Sequence, residues 1–352
     1  MSDAKSNRRN FARACFKSKS LPWLVQMYRY VYEQRRRGRL EMAYGAILRR
    51  VFWLVLKGCR SPVWGTFEYL NPRESVTVLF DGRNTQFHSV YLAKYEDGYE
   101  PETCVLLDSC LVSASTVWDV GSNWGYFALY ACSHPQFHGK VHAFEPIAAT
   151  FHDLQNTVQQ AGLADRVECH SFALGEHGGI SRTTLPDGVH SGLSALTDDG
   201  AGERVEVRAA DSLDIPDPDV IKLDVEGFEA AVLRGARRVI ARAKPMIIME
   251  SWLGPIQQTL EPLRVLEELG YRLFQPAWLF EGPDGRYCSR SSRSSNDCIR
   301  RLGLTLLPFA AAERGMLGDY ANLFACHHSR AAELSPFFSL TKALETKDLQ
   351  EA

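Results

Sequence analysis

The sequence predicts an α/β fold with a mainly parallel central sheet. Short apolar segments typical of buried strands alternate with segments in which apolar residues recur at helical spacing. In chain order the predicted strands and helices are 116–120, 124–134, 140–144, 147–161, 167–172, 219–224, 228–241 and 246–249. Such an alternation produces a parallel sheet with right-handed crossovers. The 352 residues, of which 45% are hydrophobic, suffice for one sizeable domain with additions.

Turn residues and periodicity predict the elements ahead of this core. Short apolar runs at Val76–Phe80 and Thr85–Tyr91 lie on either side of Asp81-Gly82, which predicts a β-hairpin. A helix is expected from Pro101 to Leu111, just before the first parallel strand. The hairpin is therefore a lead-in to the core.

Two later segments interrupt and close the predicted sheet. Strands near 180–185 and 204–208 form an inserted hairpin at the carboxyl ends of the parallel strands, where ligands bind in such folds. After a helix over 257–269, Tyr271–Phe274 and Ala321–Ala325 are expected to form an antiparallel closing pair. Between them lie residues 281–297, rich in Ser, Arg and Gly, which are predicted to be a loop.

The first 60 residues differ from the rest of the chain in charge. They carry 15 Lys or Arg against 3 acids, a net of +12, whereas the remainder carries 25 against 39, a net of −14. Segments 21–34 and 40–57 are predicted to be helices, and the second has a wide apolar stripe bordered by basic residues. That pattern is typical of peripheral membrane contact, here through residues 21–60, but docking on the protein itself or on a second subunit is favoured. No recognised motif supports nucleic-acid binding.

The cysteines and the N-terminal sequence predict a cytoplasmic protein, with the inner face of the membrane as the alternative location. The nine cysteines include no C-x-x-C pair and no cluster at zinc spacing. Free thiols are therefore expected, with a Cys288–Cys298 pair as the alternative. The first twenty residues lack the apolar segment of a secretory signal. No run reaches the roughly 20 apolar residues of a membrane span.

A glycine-containing turn and an acid after the next strand indicate a nucleoside ligand. In Asp119-Val-Gly-Ser-Asn-Trp-Gly125 the glycines allow close backbone approach, and the following helix offers free N–H groups. Phe144-Glu145-Pro146 ends the next strand, where Glu145 can accept hydrogen bonds from a ribose diol. The chain lacks the G-x-G-x-x-G of a dinucleotide site, so a nucleoside without phosphates is favoured, S-adenosylmethionine being the common one. An ordinary strand-to-helix turn is the alternative.

Residues 220–229, Val-Ile-Lys-Leu-Asp-Val-Glu-Gly-Phe-Glu, form another strand entering a helix, with acids at its carboxyl end. With this segment the chain resembles the FkbM family of S-adenosylmethionine-dependent methyltransferases. The matching segments, in the family's order and over roughly residues 95–255, are Tyr99–Pro101, Asp119–Gly125, Phe144–Pro146, Leu154–Asn156, Ala173–Leu174, Ile221–Glu229, Val232–Ala236 and Pro245–Glu250.

The resemblance implies a Rossmann-like class I methyltransferase fold, with a mainly parallel seven-stranded sheet and an antiparallel closing strand. The chain would divide into a basic helical extension (1–62), the hairpin lead-in (63–100), the methyltransferase domain (101–330) and a tail (331–352). S-adenosyl-L-methionine is the implied cofactor, with Asp119 at its methionine end, Glu145 at the ribose and Ala173 beside the adenine. The residues expected to bind it are Asp119, Gly121, Ser122, Asn123, Gly125, Glu145, Pro146, Ala173 and Asp224.

Asp224, Glu226 and His190 are the candidates for catalysis. Lys222, Asp224 and Glu226 alternate along the chain, so their side chains are expected on one face of a strand. Charges on a central strand are costly to bury unless they are paired or functional. Asp224 stands where the strand opens onto the cofactor, whereas Glu226 is equally suited to fix a helix N-terminus. His190 is a candidate base because imidazole titrates near neutrality, although a solvated loop histidine is the favoured interpretation.

Glu250 also ends a strand that faces the predicted site. A divalent ion held by Asp224, Glu226 and Glu250 could acidify an acceptor hydroxyl. The sequence has no dedicated metal spacing, and no metal is predicted.

Members of the family mostly methylate oxygen, on macrolide-type natural products and on sugars. The resemblance therefore implies O-methylation, with a sugar or glycan hydroxyl as the leading acceptor, lipid-linked if the N-terminal segment binds a membrane. The alternatives are O- or N-methylation of a non-sugar small molecule and a non-catalytic module that keeps the fold for binding. The sequence leaves the oligomeric state open. Candidates to recognise a phosphate or carboxylate on the acceptor, if they are not simply solvated, are Arg286, Arg290 and Arg293.

Overall fold

The structure is a computed structural model that describes residues 13–33, 51, 54, 62–92, 95, 98–184, 195–197, 202–281, 287–290 and 300–338. Its strands are β1 (Phe16–Ser20), β2 (Trp64–Leu70), β3 (Ser75–Asp81), β4 (Thr116–Val120), β5 (Lys140–Phe144), β6 (Val167–His170), β7 (Ala173–Gly175), β8 (Gly179–Thr184), β9 (Ala195–Thr197), β10 (Arg204–Ala209), β11 (Val220–Leu223), β12 (Met246–Trp252), β13 (Tyr271–Glu281), β14 (Tyr287–Arg290), β15 (Arg300–Phe309) and β16 (Tyr320–His327). Its α-helices are α1 (Trp23–Glu33), α2 (His88–Tyr91), α3 (Pro101–Leu111), α4 (Tyr126–Cys132), α5 (Ala148–Gln160), α6 (Glu229–Gly235), α7 (Arg237–Ala243) and α8 (Ile256–Glu268).

The central sheet has the order β14-β13-β16-β12-β11-β4-β5-β6, with β15 also paired to β13. Strands β12, β11, β4, β5 and β6 are parallel to their neighbours in this order, and β16 runs antiparallel to β12. The predicted mixed α/β fold with a large, mostly parallel sheet is confirmed. Within the described residues the sheet has nine strands rather than the expected seven. The addition arises because β13 continues to Glu281 and pairs with β14 and β15, so the segment predicted as a loop contains a strand.

Helices cover both faces of this sheet. Helices α3, α4 and α5 pack on one face and α6, α7 and α8 on the other. Because side chains alternate along a strand, Val220 of β11 belongs to the first layer and Ile221 to the second. The helix predicted over 228–241 is two helices, α6 and α7, separated at Ala236. The carboxyl ends of the parallel strands are left at one edge, between the two helical layers.

The sequence predicts a helical N-terminal extension. The structure differs, because Phe16–Ser20 forms strand β1 ahead of helix α1. This strand pairs antiparallel with β2, and β2 pairs with β3. The hairpin therefore turns after Leu70, where the Asn71 side chain accepts hydrogen bonds from the N–H groups of the second and third residues that follow. The predicted hairpin around Asp81-Gly82 is wrong. The chain does turn there, with the Asn84 N–H group donating to the Asp81 carbonyl oxygen at 3.1 Å, but Asp81 ends β3 and Thr85–Tyr91 is helical rather than a strand.

Residues 13–33 of the basic segment dock on the α/β domain. The Arg13 Nε atom lies 2.8 Å from an Asp108 carboxylate oxygen. Its guanidinium group stacks 4.4 Å from the Tyr130 ring centroid. This part of the segment therefore packs on the protein itself. The apolar stripe of 40–57 lies outside the described residues, apart from the exposed Val51 and Leu54.

The inserted segment forms a separate four-stranded sheet with the order β7-β10-β8-β9. Strand β10 is antiparallel to β8, as the predicted hairpin requires, and parallel to β7. Because β7 follows β6 directly, this small sheet stands beside the carboxyl ends of the main strands. His190 lies between β8 and β9, outside the described residues.

The sequence predicts neither a membrane-spanning segment nor, in the favoured interpretation, a disulfide bond. None of the helices that the structure describes is both long and apolar enough to cross a membrane. The cysteines whose side chains are described are free thiols, whereas Cys298 and the side chain of Cys288 lie outside the described part of the chain.

Candidate cofactor and active site

A cavity of about 880 Å³ opens at the carboxyl ends of β4, β5, β11 and β12. In a parallel sheet this edge is where ligands bind. The candidate base Glu226 lines the cavity, whereas Asp119 and Gly125 are not among its described lining residues. The other predicted cofactor residues all line it, namely Gly121, Ser122, Asn123, Glu145, Pro146, Ala173 and Asp224.

The two glycines of the turn after β4 have different roles. Gly121 has a φ of +83°, and a Cβ atom there would lie 1.8 Å from the backbone oxygen of Asp224. Glycine is therefore required for β4 and β11 to end side by side. A Cβ atom on Gly125 would instead lie 2.8 Å from Leu154 Cδ1, so this glycine lets α4 pack on α5. Gly121 shapes the cavity, and Gly125 shapes the packing behind it.

The backbone N–H groups of this turn are used inside the protein. Gly121 and Ser122 both donate to the Phe144 carbonyl oxygen at 3.0 Å. Asn123 donates to a Glu145 carboxylate oxygen at 3.1 Å. These three N–H groups are therefore not free for a ligand, because they tie the end of β4 to the end of β5. The turn consequently does not provide the donor cradle that a phosphate group requires.

Glu145 is buried at the end of β5 and keeps capacity to accept hydrogen bonds. Its oxygens accept from the N–H groups of Asn123 and Ile147, at 3.1 and 3.0 Å. An ionised carboxylate has about four acceptor sites, so two are left for a ligand. Burial raises the pKa of Glu145 to about 7 in spite of these two bonds. A ligand that donates hydrogen bonds, such as a ribose diol, would favour the ionised form.

Asp119 lies beneath the turn rather than in the cavity wall. Its side chain is 1% exposed, and no hydrogen bond of normal geometry reaches its carboxylate oxygens among the described residues, although the Ser122 side chain and the Ala128 N–H group are close enough to lower its pKa. Burial raises the pKa of this carboxyl group, and the nearby positive charge of Lys222 lowers it. Asp119 therefore contributes to the site through its interaction with Lys222 rather than as a lining group.

Lys222 and Asp224 form the central ion pair of the site. The Lys222 Nζ atom lies 2.8 Å from an Asp224 carboxylate oxygen and 4.6 Å from the Phe127 ring centroid. Burial acts against the charge on both groups, but their mutual attraction outweighs it. The pKa of Lys222 is consequently raised and the pKa of Asp224 lowered. Asp224 is thus held ionised where β11 opens onto the cavity.

Glu250 of β12 contacts Asp224 from the other side. The two side chains are hydrogen-bonded, and Glu250 also interacts with Tyr320. Burial, followed by the negative charge of Asp224, raises the pKa of Glu250 to about 11. Glu250 is therefore protonated near neutral pH and donates a hydrogen bond to Asp224. Asp224 is fixed between a lysine and a neutral carboxyl group.

Glu226 combines a left-handed backbone conformation with a raised side-chain pKa, two features that are common at functional sites. Strand β11 ends at Leu223, so Glu226 does not lie on the strand as its alternation with Lys222 predicts. Its φ of +46° is left-handed, a conformation that costs a residue with a side chain about 1–2 kcal/mol. Burial, then the charges of Asp224 and Glu229, raise the pKa of Glu226 to about 7. A pKa near the working pH suits a general base.

The cavity lining is strongly acidic. Its only cationic residue among the described lining is Lys222, although a histidine, His88, also lines it. Burial raises the pKa of Glu100, the lead-in acid whose role sequence analysis missed, to about 7. Such a lining favours a cationic ligand and disfavours a diphosphate. The described acids of the lining are Glu100, Glu102, Glu145, Asp224, Glu226 and Glu250.

The three acids Asp224, Glu226 and Glu250 each place one carboxylate oxygen within 4.8 Å of the others. Oxygen ligands of this kind suit a hard divalent ion. Asp224 and Glu250 already have Lys222 and each other as partners, and no metal is assigned. The remaining predicted groups, His190, Arg286, Arg293 and the side chain of Arg290, lie outside the described residues.

An aromatic pair stands at the mouth of the cavity. Trp252 of β12 and Tyr320 of β16 are cross-strand neighbours with ring centroids 4.9 Å apart. Their exposed fractions are 51% and 40%, and both line the cavity. We call Trp252 and Tyr320 the aromatic rim. The sequence alone does not reveal this rim, because only the pairing of β12 with β16 brings the two rings together.

Residues 119–273 match the family model described as the methyltransferase FkbM domain. None of the curated proteins matches the chain. Among solved structures the chain is similar to the methyltransferase FkbM from Methylobacillus flagellatus KT, with 24% identity over 39% of this chain and 33% of that chain and a TM-score of 0.31. The chain therefore spans about a third of the length of that relative.

Two further solved structures are similar to the chain at lower identity. One is the precorrin-6y C5,15-methyltransferase from Geobacter metallireducens GS-15, with 13% identity over 63% of this chain and 86% of that chain and a TM-score of 0.32. The other is an O-methyltransferase from Bacillus cereus in complex with SAH, with 14% identity over 52% of this chain and 76% of that chain and a TM-score of 0.33.

Proposed function

We propose that this chain, whose residues 119–273 match the FkbM methyltransferase domain, uses S-adenosylmethionine to methylate a hydroxyl group of a sugar or glycan. The family and its cofactor were both predicted from the sequence, and the match to a methyltransferase domain over residues 119–273 supports both. The acceptor, the reacting atom and the roles of individual residues are our proposals.

The acidic lining of the cavity is the observation that carries the assignment to this site. Six carboxyl groups and one lysine are found among the described lining residues. A sulfonium nucleoside brings positive charge and no phosphate, so it suits such a lining, whereas a dinucleotide would place a diphosphate among carboxylates. The cavity floor formed at Gly121 gives the ligand access to the ends of β4 and β11.

Three parts of the cavity wall would hold this cofactor. Glu145 would accept hydrogen bonds from the ribose, with Pro146 and Ala173 bordering the adenine. Asp224, kept ionised by Lys222, would face the positively charged methionine end. When bound, the cofactor supplies a methyl group on sulfur that an aligned nucleophile can take. The protein's task is then to align the acceptor, and orientation can contribute roughly 7–11 kcal/mol to lowering such a barrier.

Glu226 is the side chain that we propose as general base for a hydroxyl acceptor. A neutral alcohol must lose its proton to react well, and a base with a pKa near 7 is effective at neutral pH. Asp224 is less suited, because its pKa is lowered and Lys222 is already its partner. Glu250 is less suited because it is protonated near neutrality. The left-handed turn at Glu226 brings its side chain to the cavity.

The aromatic rim supports a sugar as the acceptor. Trp252 and Tyr320 offer exposed ring faces on which the apolar face of a pyranose can stack. The neighbouring Asn322 and Glu250 side chains line the same cavity and can hydrogen-bond hydroxyl groups. A small apolar acceptor would use the rim without needing these polar groups, so the combination favours a sugar.

The cofactor assignment is tested by calorimetry with Glu145→Gln. Because hydrogen bonds to a charged group contribute about 1.5–3 kcal/mol, we expect affinity for S-adenosylmethionine to fall about 10- to 150-fold. Glu206→Gln, at an exposed position of strand β10, is the control and should bind as the wild type does. Equal affinity in wild type and Glu145→Gln, or no binding by the wild type, would remove the basis of the proposed function.

The acceptor assignment is tested by transfer of a labelled methyl group to a panel of glycans and to non-sugar alcohols. For a sugar acceptor, Trp252→Ala should raise the acceptor KM about 3- to 10-fold by removing a stacking surface, without changing cofactor affinity. Trp64→Ala is a matched control, since Trp64 is 52% exposed on β2 and does not line the cavity. Transfer to non-sugar alcohols alone would contradict the sugar assignment.

A further inference from the structure

A second group of ligand-type side chains lies on β5 and β6, outside the cofactor cavity. The His142 Nδ1 atom is 3.1 Å from His170 Nε2. The Glu168 carboxylate oxygens lie 3.7 Å from the first of these nitrogens and 3.8 Å from the second. None of the three residues lines the cofactor cavity. We propose that His142, Glu168 and His170 form a binding site for a borderline transition-metal cation, with Zn²⁺ as the best match.

The spacing of the three ligand atoms suits a tetrahedral ion. Ligand atoms about 2.0–2.2 Å from one tetrahedral Zn²⁺ lie about 3.3–3.6 Å from each other. The two nitrogens are 3.1 Å apart, and each has its own Glu168 oxygen nearby, Oε2 at 3.7 Å from His142 Nδ1 and Oε1 at 3.8 Å from His170 Nε2. One ligand atom from each of the three residues lies within 4.8 Å of the other two. Small side-chain rotations would therefore bring all three atoms to coordination distance.

The chemistry of the ligands selects the class of cation. Two imidazoles and one carboxylate are a donor set for Zn²⁺ and its first-row neighbours, rather than for Mg²⁺ or Ca²⁺, which prefer oxygen. Glu168 is 56% exposed, which leaves a route for the ion and room for a water as fourth ligand.

The sheet holds the ligands in place before any ion binds. His142 and Glu168 are register partners in the parallel pair of β5 and β6, and His170 follows Glu168 two residues later on the same face. The His170 ring also stacks on Phe144, with centroids 4.7 Å apart. Nδ1 is the His142 nitrogen that faces the other two ligand groups, at 3.1 Å from His170 Nε2 and 3.7 Å from Glu168 Oε2. The alternative is a plain hydrogen bond between two neutral rings.

An ion here would fasten the edge strand next to the cofactor site. The His170 carbonyl oxygen accepts a hydrogen bond of 3.0 Å from the N–H group of Glu145. An ion bound at His170 would therefore restrain the backbone to which Glu145, the residue proposed to bind the ribose, is hydrogen-bonded. The site is inferred independently of the methyltransferase assignment.

The proposal is tested by titrating chelator-treated full-length protein with Zn²⁺ alone in a calorimeter. We expect one equivalent to bind to the wild type, and at least a 10-fold loss of affinity in Glu168→Gln and in His170→Ala. Glu168→Gln is the safer variant for folding, because the Glu168 side chain is exposed. The matched control is His177→Ala, which removes an exposed histidine 3.8 Å from the Glu176 carboxylate and should leave binding unchanged.

Co²⁺ serves as a spectroscopic probe of the ligands in the same variants. Intense visible bands of four-coordinate Co²⁺ without a thiolate charge-transfer band are expected, and they should disappear in Glu168→Gln. A thiolate band would place the ion on cysteines and overturn the proposal. Failure of the wild type to bind one equivalent of Zn²⁺, or equal binding by wild type and Glu168→Gln, would also overturn it.

Discussion

Glu226→Gln is expected to lower kcat about 10²- to 10⁴-fold, the contribution typical of a positioned general base. Glutamine keeps the size and hydrogen-bonding reach of the side chain but cannot take a proton. Cofactor affinity should change little, because in the proposed arrangement Glu145 and Asp224 hold the cofactor. Single-turnover methyl transfer at saturating S-adenosylmethionine measures the chemical step directly.

The pH dependence distinguishes a base from a merely structural acid. Glu226 has its pKa raised to about 7, and a base works in its deprotonated form. The rate should therefore rise as pH increases through about 7 and then level off, and Glu226→Gln should remove this rise. Glu145 titrates in the same range but would act on cofactor binding, so Glu145→Gln should raise the cofactor KM and retain the rise in kcat. A Glu226→Gln enzyme that keeps the full pH-dependent rise would assign the base to another group, such as Glu100.

The parallel core could be predicted because its strands and helices carry strong local signals. β4, β5 and β11 are buried apolar segments that end at glycine or acidic residues, and the structure places them within one or two residues of the prediction. The N-terminal strand could not be predicted in this way. Phe16–Ser20 is short and carries two lysines. It forms a strand because it pairs with the edge of β2, and the nearby Arg13 side chain donates a hydrogen bond to Asp108.

Site residues that directly follow a parallel strand could be predicted from the sequence. Features of the site that depend on pairing between distant segments could not. Glu145 and Asp224 follow strands in sequence, so topology alone brings them to one edge. The aromatic rim depends on the register between β12 and β16, which local patterns do not fix. The sequence also does not show which N–H groups are free to bind a ligand. Those of Gly121 and Ser122 donate to the Phe144 carbonyl oxygen, and that of Asn123 donates to the Glu145 carboxylate.

The reactive acidity of Glu226 likewise comes from tertiary structure. In sequence Glu226 is one more alternating acid after Lys222. In the fold β11 ends at Leu223, and the chain turns left-handed at Glu226 and at Gly227, with φ values of +46° and +89°. The turn brings Glu226 near Asp224 and Glu229, whose charges add to burial in raising its pKa. Its position and its acidity are therefore two results of one backbone feature.

Gly121→Ala should abolish cofactor binding and destabilise the protein by about 2–5 kcal/mol. The left-handed φ of +83° accounts for about 1–2 kcal/mol of this. Displacing the Asp224 backbone oxygen, which would lie 1.8 Å from the new Cβ atom, accounts for about 1–3 kcal/mol more. The Asp224 backbone must move to make room for the new Cβ atom. Because the Asp224 side chain moves with it, both the ion pair with Lys222 and the cavity floor should be disturbed.

Gly162→Ala separates these two contributions. Gly162 also has a left-handed φ, of +67°, but a Cβ atom there would meet nothing within 4 Å. This control should lose only about 1–2 kcal/mol of stability and keep full affinity for S-adenosylmethionine. Denaturant unfolding and calorimetry on both variants give the two numbers. If Gly121→Ala bound the cofactor as tightly as Gly162→Ala does, the ligand could not lie against the junction of β4 and β11, because that junction is the part of the site that only the first substitution displaces.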